Sequence, residues 1–340
     1  MDLIIKSYGT RIRARGERII VAEPGYKRNY KVKKEIAAKS IDKIVILRPS
    51  SISTDAVKLA IKHEVDIVYL NYFGDTVGRI FPSEPKGTAA LRKAQALFVS
   101  SPAKALELAR TLVLGKGANQ VSYLRQLEGE HNVSFKDELL QCKTMLESLI
   151  MPLDSQVQRD RLFGTEGIIA ERYFSCLRKL HPFPGRKPRG RDKFNSAFNY
   201  GYGILYNEVE RACHFVGLDP FMGTFHAERS GKPSLVLDLV EEYRVPVVDS
   251  MIFPLFLKSA MDKADNFVSA GPAGAYRLSD EGKRVIVEAV YNRLNQEVEW
   301  DGKKRTVKAV IYHQAQSLGQ HFTGKRDRYI PFSLSVTKNG

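Results

Sequence analysis

Apolar positions change their spacing once along the chain, close to residue 85. Ahead of that point the runs are short and extended. Leu3 to Ile5, the alternating stretch Thr10 to Arg15 and the stretch Arg18 to Val21 read as strands, the last two hinged at Gly16, and Tyr30 to Ile36 reads as another. KIVIL (Lys43 to Leu47) and DIVYL (Asp66 to Leu70) are unbroken apolar runs, as expected of strands covered on both faces. Between them SISTDAVKLAIKH has helical spacing, with Ser53 or Thr54 as its N-cap. Thr76 to Phe81, after a turn at Gly74-Asp75, closes the sheet.

PSEPKG (Pro82 to Gly87) is a link, and beyond it the apolar period is that of helices. Ala89 to Phe98 is the first, and Ser101-Pro102 opens a second that runs to Leu114, proline being suited to a first turn. Amphipathic segments follow at Ala118 to Leu127, Ser134 to Leu149 and Asp154 to Leu180. The next helix begins near Asn195, and its Phe198, Tyr202, Leu205 and Tyr206 read as core packing rather than base-stacking groups. Further helices start at Ser234, at Ser279 or Asp280, and after a turn at Asp301-Gly302. The expected fold class is α+β in two domains: residues 1–85 a β-strand domain with one short helix, residues 86–340 an all-α domain. No cluster of potential ligands falls in the first, which suits it to a scaffold or a dimer interface.

Charge narrows the partners. The 340 residues carry 53 Lys and Arg against 38 Asp and Glu, a formal +15, which points to nucleic acid or an anionic lipid surface. No run of about 18 apolar residues suggests a membrane span, and the apolar stretch at the N-terminus is too short for a signal peptide. Cys142, Cys176 and Cys213 are odd in number, far apart and without a CxxC, so a reduced cytoplasmic interior fits better than a disulfide framework or a thiolate zinc site. HExxH, P-loop, GxSxG and helix-opening GxGxxG motifs are absent.

Candidate chemistry concentrates in Gly217 to Arg244, GLDPFMGTFHAERSGKPSLVLDLVEEYR. A turn-rich loop leads to His226, and a helix capped by Ser234 then carries Asp238, Glu241 and Glu242 on one face or nearly so. Such a cluster either holds a divalent cation, with His226 as a further ligand, or is a solvated face with Arg244 as partner. Upstream, Glu166 in FGTEGIIAERYF sits among apolar residues, so a cation or a basic residue should accompany it. In HPFPGRKPRGRDKF, residues 181–194, Arg186, Lys187, Arg189, Arg191 and Lys193 face one acid, Asp192. A flexible basic loop of this kind suits a phosphate backbone, and Lys325, Arg326 and Arg328 form a weaker second patch.

The ordered set GTEG with Glu166 and Tyr173, NSAFNYGYGILY, GLDPFMGTFH and GKPSLVLDLVEEYR resembles the CRISPR-associated integrase family, the metal-dependent endonuclease subunit that captures spacers in antiviral defence. SISTDAVKLAIKHEVDIVYLNYFGDTVGRI resembles that family's strand domain, so the likeness spans nearly the whole chain. One departure is Val245-Pro246 after EEYR, where the proline commonly follows the arginine directly; it affects a helix end and leaves the ligand positions intact.

The resemblance implies Glu166, His226 and Glu241 as ligands of Mg2+ or Mn2+, with Asp238 in the catalytic set as an acid that binds or orients water. It implies a two-fold dimer through the strand domain, a helical domain holding the metal, and two dimers bridged by a small partner subunit. The substrate would be double-stranded and branched DNA: a 3′-hydroxyl, or water in nuclease action, attacks a phosphodiester, and prespacer DNA is joined to the repeat array. The basic loop and tail would position the backbone without reading bases. His226 must be neutral to ligate, so activity should fall on acidification. A junction or repair nuclease on the same ligands and a non-enzymatic DNA-binding scaffold stand as alternatives.

Overall fold

Alternation in the first 85 residues builds two sheets where the sequence suggests one. The computed structural model describes residues 1–26, 29–71, 76–80, 89–149, 156–226, 231–271 and 274–333, without the side chains of 156–158. The Gly74-Asp75 turn and the Pro82 to Gly87 link lie outside them. The chain divides into two compact units, Met1–Pro85 and Lys86–Gly340.

The first unit contains β1 (Asp2–Ile5), β2 (Arg11–Arg15), β3 (Arg18–Pro24), β4 (Tyr30–Ala37), β5 (Lys43–Ile46), β6 (Ser51–Ile52), α1 (Thr54–Lys62), β7 (Asp66–Leu70) and β8 (Thr76–Ile80). One sheet has the order β1-β5-β7-β8, parallel except for the last pair, and the other has the order β4-β3-β2-β6. Arg15 pairs with Arg18 across a two-residue loop, which Gly16 permits with φ of 57°. Ser53 caps α1, its hydroxyl accepting from Ala56 N–H at 3.2 Å, and Ala56, Leu59 and Ala60 bury against Ile12, Ile44 and Ile67. Burying such side chains contributes roughly 1.5–3 kcal/mol for each large one.

The second unit holds α2 (Ala89–Val99), α3 (Pro102–His131), α4 (Lys136–Ser148), α5 (Gln156–Leu180), α6 (Lys193–Val216), α7 (Ser234–Leu239), α8 (Ser250–Leu257), β9 (Phe267–Ser269), β10 (Tyr276–Leu278), α9 (Asp280–Asn295), β11 (Glu297–Trp300), β12 (Lys303–Thr306) and α10 (Val307–Phe322). The two antiparallel hairpins, β9–β10 and β11–β12, are additions to the expected all-α domain. The second is turned by Asp301 and Gly302, both at positive φ, as an Asp-Gly hairpin loop requires. α3 is one helix where the glycines at 115 and 117 suggest two. Tertiary packing closes the gap: a Cβ on Gly115 would lie 2.5 Å from Pro331 Cβ, and one on Gly117 2.5 Å from Leu146 Cδ2.

α6 runs through the core, burying Phe194, Ala197, Phe198, Leu205 and Val209 against α8, α9 and α10. Its N-cap is Asp192, which accepts from Asn195 N–H at 3.0 Å, and its end is Gly217 at φ 88°. α7 departs most from expectation. Pro233, not Ser234, occupies the cap position, and the chain leaves α geometry after Leu239 for a 3-10 turn (Val240–Glu242) and a π-helical turn (Arg244–Asp249). Pro246 has no N–H to donate to the Glu242 carbonyl. Asn119 of α3 fills the vacancy, donating its amide to that carbonyl at 2.9 Å.

Candidate metal centre

Three segments meet at one buried cation. Lys116 of α3, 9% exposed, places its ammonium against Glu166 Oε1 of α5 and 2.7 Å from Glu241 Oε2 of the 3-10 turn. Arg244 donates to the other Glu241 oxygen at 2.9 Å. Burial by itself would push the Glu241 carboxyl up, but Arg244 and then Lys116 outweigh it and hold the pKa at about 2. Burial likewise opposes the charge on Lys116, and Glu241 and Glu166 override it and raise its pKa. The solvated-face alternative is thereby overturned: Asp238, Glu241 and Glu242 are all buried. Neither do they share a face, because the 3-10 turn sends them to different partners.

Asp238 organises the histidine. The loop before His226 folds tightly over the start of α7, so that a Cβ on Gly223 would meet Asp238 Oδ2 at 2.7 Å. Asp238 Oδ2 accepts the N–H groups of Thr224 and Phe225 at 2.5 and 2.9 Å, and the Thr224 hydroxyl at 3.3 Å. Oδ1 accepts the His226 N–H at 2.9 Å and faces Nδ1 at 2.8 Å. A carboxylate oxygen accepts here, so Nδ1 is the donor, and in the neutral ring the lone pair is on Nε2. Nε2 lies 4.0 Å from Glu241 Oε1. With five donors around it, Asp238 has no oxygen to spare for a metal and acts on the site through His226.

Hard oxygens with one imidazole suit Mg2+ or Mn2+. Among the described residues, no three His, Cys, Asp or Glu side chains stand arranged around an ion site; the ammonium of Lys116 lies between the two glutamates. Glu241 Oε2 is buried and, although beside that ammonium, accepts no aligned hydrogen bond. The donors therefore fit a divalent cation in the ammonium's place.

Other acids look elsewhere. Glu242 accepts from the Tyr329 hydroxyl and the Phe332 N–H, each at 2.6 Å, and burial pushes it up to about 7 despite these donors. Asp249 accepts from Tyr202 at 2.6 Å and from Tyr173 at 2.9 Å, and burial pushes it up to about 6. Arg244 also stacks over Tyr202, 4.7 Å from the ring centroid. Nothing in the sequence marks Lys116 or Asp249 as site residues, although the demand of Glu166 for a basic companion anticipates the first; Arg244, expected as partner of the acids, does pair with Glu241.

The basic residues divide into two kinds. Arg186 donates to the Lys187 carbonyl at 2.7 Å, Asn195 Oδ1 at 2.9 Å and Asn199 Oδ1 at 2.7 Å, and lies over the Tyr202 ring. Lys193 lies over Phe267 and Tyr276. The loop is also tied to β10 where Arg191 O accepts from Tyr276 N–H at 2.6 Å, so it is anchored rather than flexible. Lys187, Arg189 and Arg191 are exposed, as are Lys325, Arg326 and Arg328. All three cysteines are buried and free, and no helix among the described residues is long and apolar enough to cross a membrane.

Known proteins share this arrangement of the chain. A family model described as CRISPR associated protein Cas1 matches residues 3–292. CRISPR-associated endonuclease Cas1 1 of Pyrobaculum aerophilum (strain ATCC 51768 / DSM 7523 / JCM 9630 / CIP 104966 / NBRC 100827 / IM2) is 32% identical over 336 residues, covering 98% of this chain and 100% of the relative. A solved casposase bound to integration product is 25% identical, with a TM-score of 0.81 over 97% of this chain and 92% of its own. A chain of a Cas6-RT-Cas1–Cas2 complex, 19% identical with a TM-score of 0.77, shares the fold over 98% of this chain and 36% of its own.

Proposed function

The chain belongs to the Cas1 family of CRISPR-associated endonucleases, and on that footing we propose that it is a divalent-metal-dependent integrase that joins prespacer DNA to a CRISPR array. The observation that carries the proposal is the meeting of Glu166 and Glu241 on one buried cation, with His226 held by Asp238 at Nδ1 so that Nε2 faces Glu241. These three residues would hold Mg2+ or Mn2+. Such an ion neutralises charge developing on phosphoryl oxygens and lowers the pKa of an attacking hydroxyl or water.

The chain's own groups prepare that chemistry. Asp238 keeps the proton on His226 Nδ1 and fixes the ring plane. Arg244 keeps Glu241 ionised. Lys187, Arg189, Arg191, Lys325, Arg326 and Arg328 are exposed cations suited to the phosphates of double-stranded or branched DNA, whereas Arg186 and Lys193 brace the loop that presents the first three. The strand unit would form the homodimer. A small bridging subunit would join two dimers in the cytoplasm.

The test is a strand-transfer assay with a labelled prespacer duplex and a plasmid carrying a repeat array, with and without Mg2+ or Mn2+. Covalently joined strands from the wild type, lost in chelator and in Glu166→Ala, His226→Ala and Glu241→Gln with folding and DNA binding retained, are the expected result. Cuts without joining would make the protein a junction or repair nuclease. Chelator-insensitive binding with no product would make it a scaffold.

A further inference from the structure

Lys116 and Arg244 both carry the wrong sign for a metal ligand, but of the two only Lys116 touches both glutamates, and it is deeply built in. Its side chain is 11% exposed, it comes from the middle of α3, and it touches two carboxylates carried by two other segments. Glu166 and Glu241 would repel each other at this separation without a cation between them, and Arg244 reaches only Glu241. Counting charges, Lys116 and Arg244 already balance Glu166 and Glu241. A divalent ion added beside them would leave these four groups with an excess of two positive charges in a buried setting, reduced to one by the Asp238 carboxylate behind His226.

We infer that Lys116 is a resident counter-cation: its ammonium holds Glu166 and Glu241 together before metal arrives, and it must leave their oxygens for Mg2+ or Mn2+ to bind. This deepens the metal-centre reading above and rests on it. Lys116 is thus a positioning residue, and its effect on metal is antagonistic. It lowers the free energy of the metal-free site, so the ion must offset the lost ion pairs as it binds. The direction is opposite to that of a residue that supports ligands from behind, whose removal weakens metal binding.

The experiment is calorimetric titration of Mn2+ into metal-free wild type, Lys116→Met and His226→Ala, with thermal melts of each in chelator and in Mn2+. Lys116→Met should bind Mn2+ at least tenfold more tightly than wild type, melt earlier in chelator, and regain the difference when Mn2+ is added. Equal or weaker Mn2+ binding by Lys116→Met overturns the inference, provided that wild-type binding is lost in His226→Ala. Wild-type binding that is absent, or indifferent to His226→Ala, overturns the metal-centre reading itself. Should Lys116→Met not fold, the wild type still decides. Acylation of Lys116 by a small activated ester, followed by mass spectrometry, should accelerate at least threefold when Mg2+ replaces chelator, and an unchanged or slower rate overturns the inference.

Discussion

Replacing Asp238 by asparagine changes one atom's hydrogen-bonding sense in a fully buried setting. Each carboxylate oxygen accepts from at least two donors: Oδ1 from His226 N and Nδ1, Oδ2 from Thr224 N, Phe225 N and the Thr224 hydroxyl. Whichever oxygen becomes the amide nitrogen, at least two donors lose their acceptor and face another donor. A hydrogen bond to a charged group contributes about 1.5–3 kcal/mol, so losing two at the lower figure costs about 3 kcal/mol. For a domain of this size that lowers the melting temperature by about 6–12 °C. The melt is best followed by circular dichroism in chelator, so that metal binding does not mask the change. If the amide nitrogen settles beside His226, the ring is driven to the tautomer protonated at Nε2, and Mn2+ affinity should fall by about 10- to 100-fold. An Asp238→Asn protein that melts within about 2 °C of wild type would refute the claim that this carboxylate organises the loop.

Two further outcomes are expected. Glu242 and Asp249 have folded pKa values raised to about 7 and about 6, so each contributes stability that is complete below its ordinary value and is lost as pH rises through the folded value. The melting temperature should therefore decline between about pH 4 and 7, and Glu242→Gln should flatten that decline, by at most about 3 kcal/mol across the window; an unchanged slope counts against the burial argument. Arg186→Ala should lower the melting temperature, because it strips three hydrogen bonds from the anchored loop. Alanine at Lys187, Arg189 and Arg191 together should leave the melt alone and reduce the salt slope of DNA binding by up to about 2.7, which fluorescence anisotropy at several salt concentrations would read.

Local signals carried much of this fold. Strand alternation and helical periodicity locate most strands of the first unit and most helices of the second, though not β6, α8 or the two hairpins β9–β10 and β11–β12, and Ser53 and Ser279 cap helices by the short-range bonds their sequence context suggests. Long-range packing decides where those signals mislead. Gly115 and Gly117 look like breaks until Pro331 and Leu146 fill the space beside them. Carboxylates three and four residues apart look like one helical face until the chain tightens after Leu239 and Pro246 loosens it again. At the site, Glu166, His226, Asp238 and Glu241 stand in recognisable motifs, and Asp238, expected to bind or orient water, is instead bonded to the imidazole and its loop. Lys116 has no such address, because α3 gives no sign of which helix will lie against it. The need for a basic neighbour was legible; its identity was a matter of tertiary structure.

The Glu242 carboxylate also imposes an order on the birth of the protein. Its two donors, Tyr329 and Phe332, are added 87 and 90 residues after it, and the Phe332 carbonyl takes the second hydrogen bond of Asn119. At about 5–20 residues per second, a ribosome needs several seconds to cover that distance. During that interval the turn carrying Glu241 lacks the strap that later seals its back, so a growing chain acquires the acids of its centre well before it can hold them rigidly.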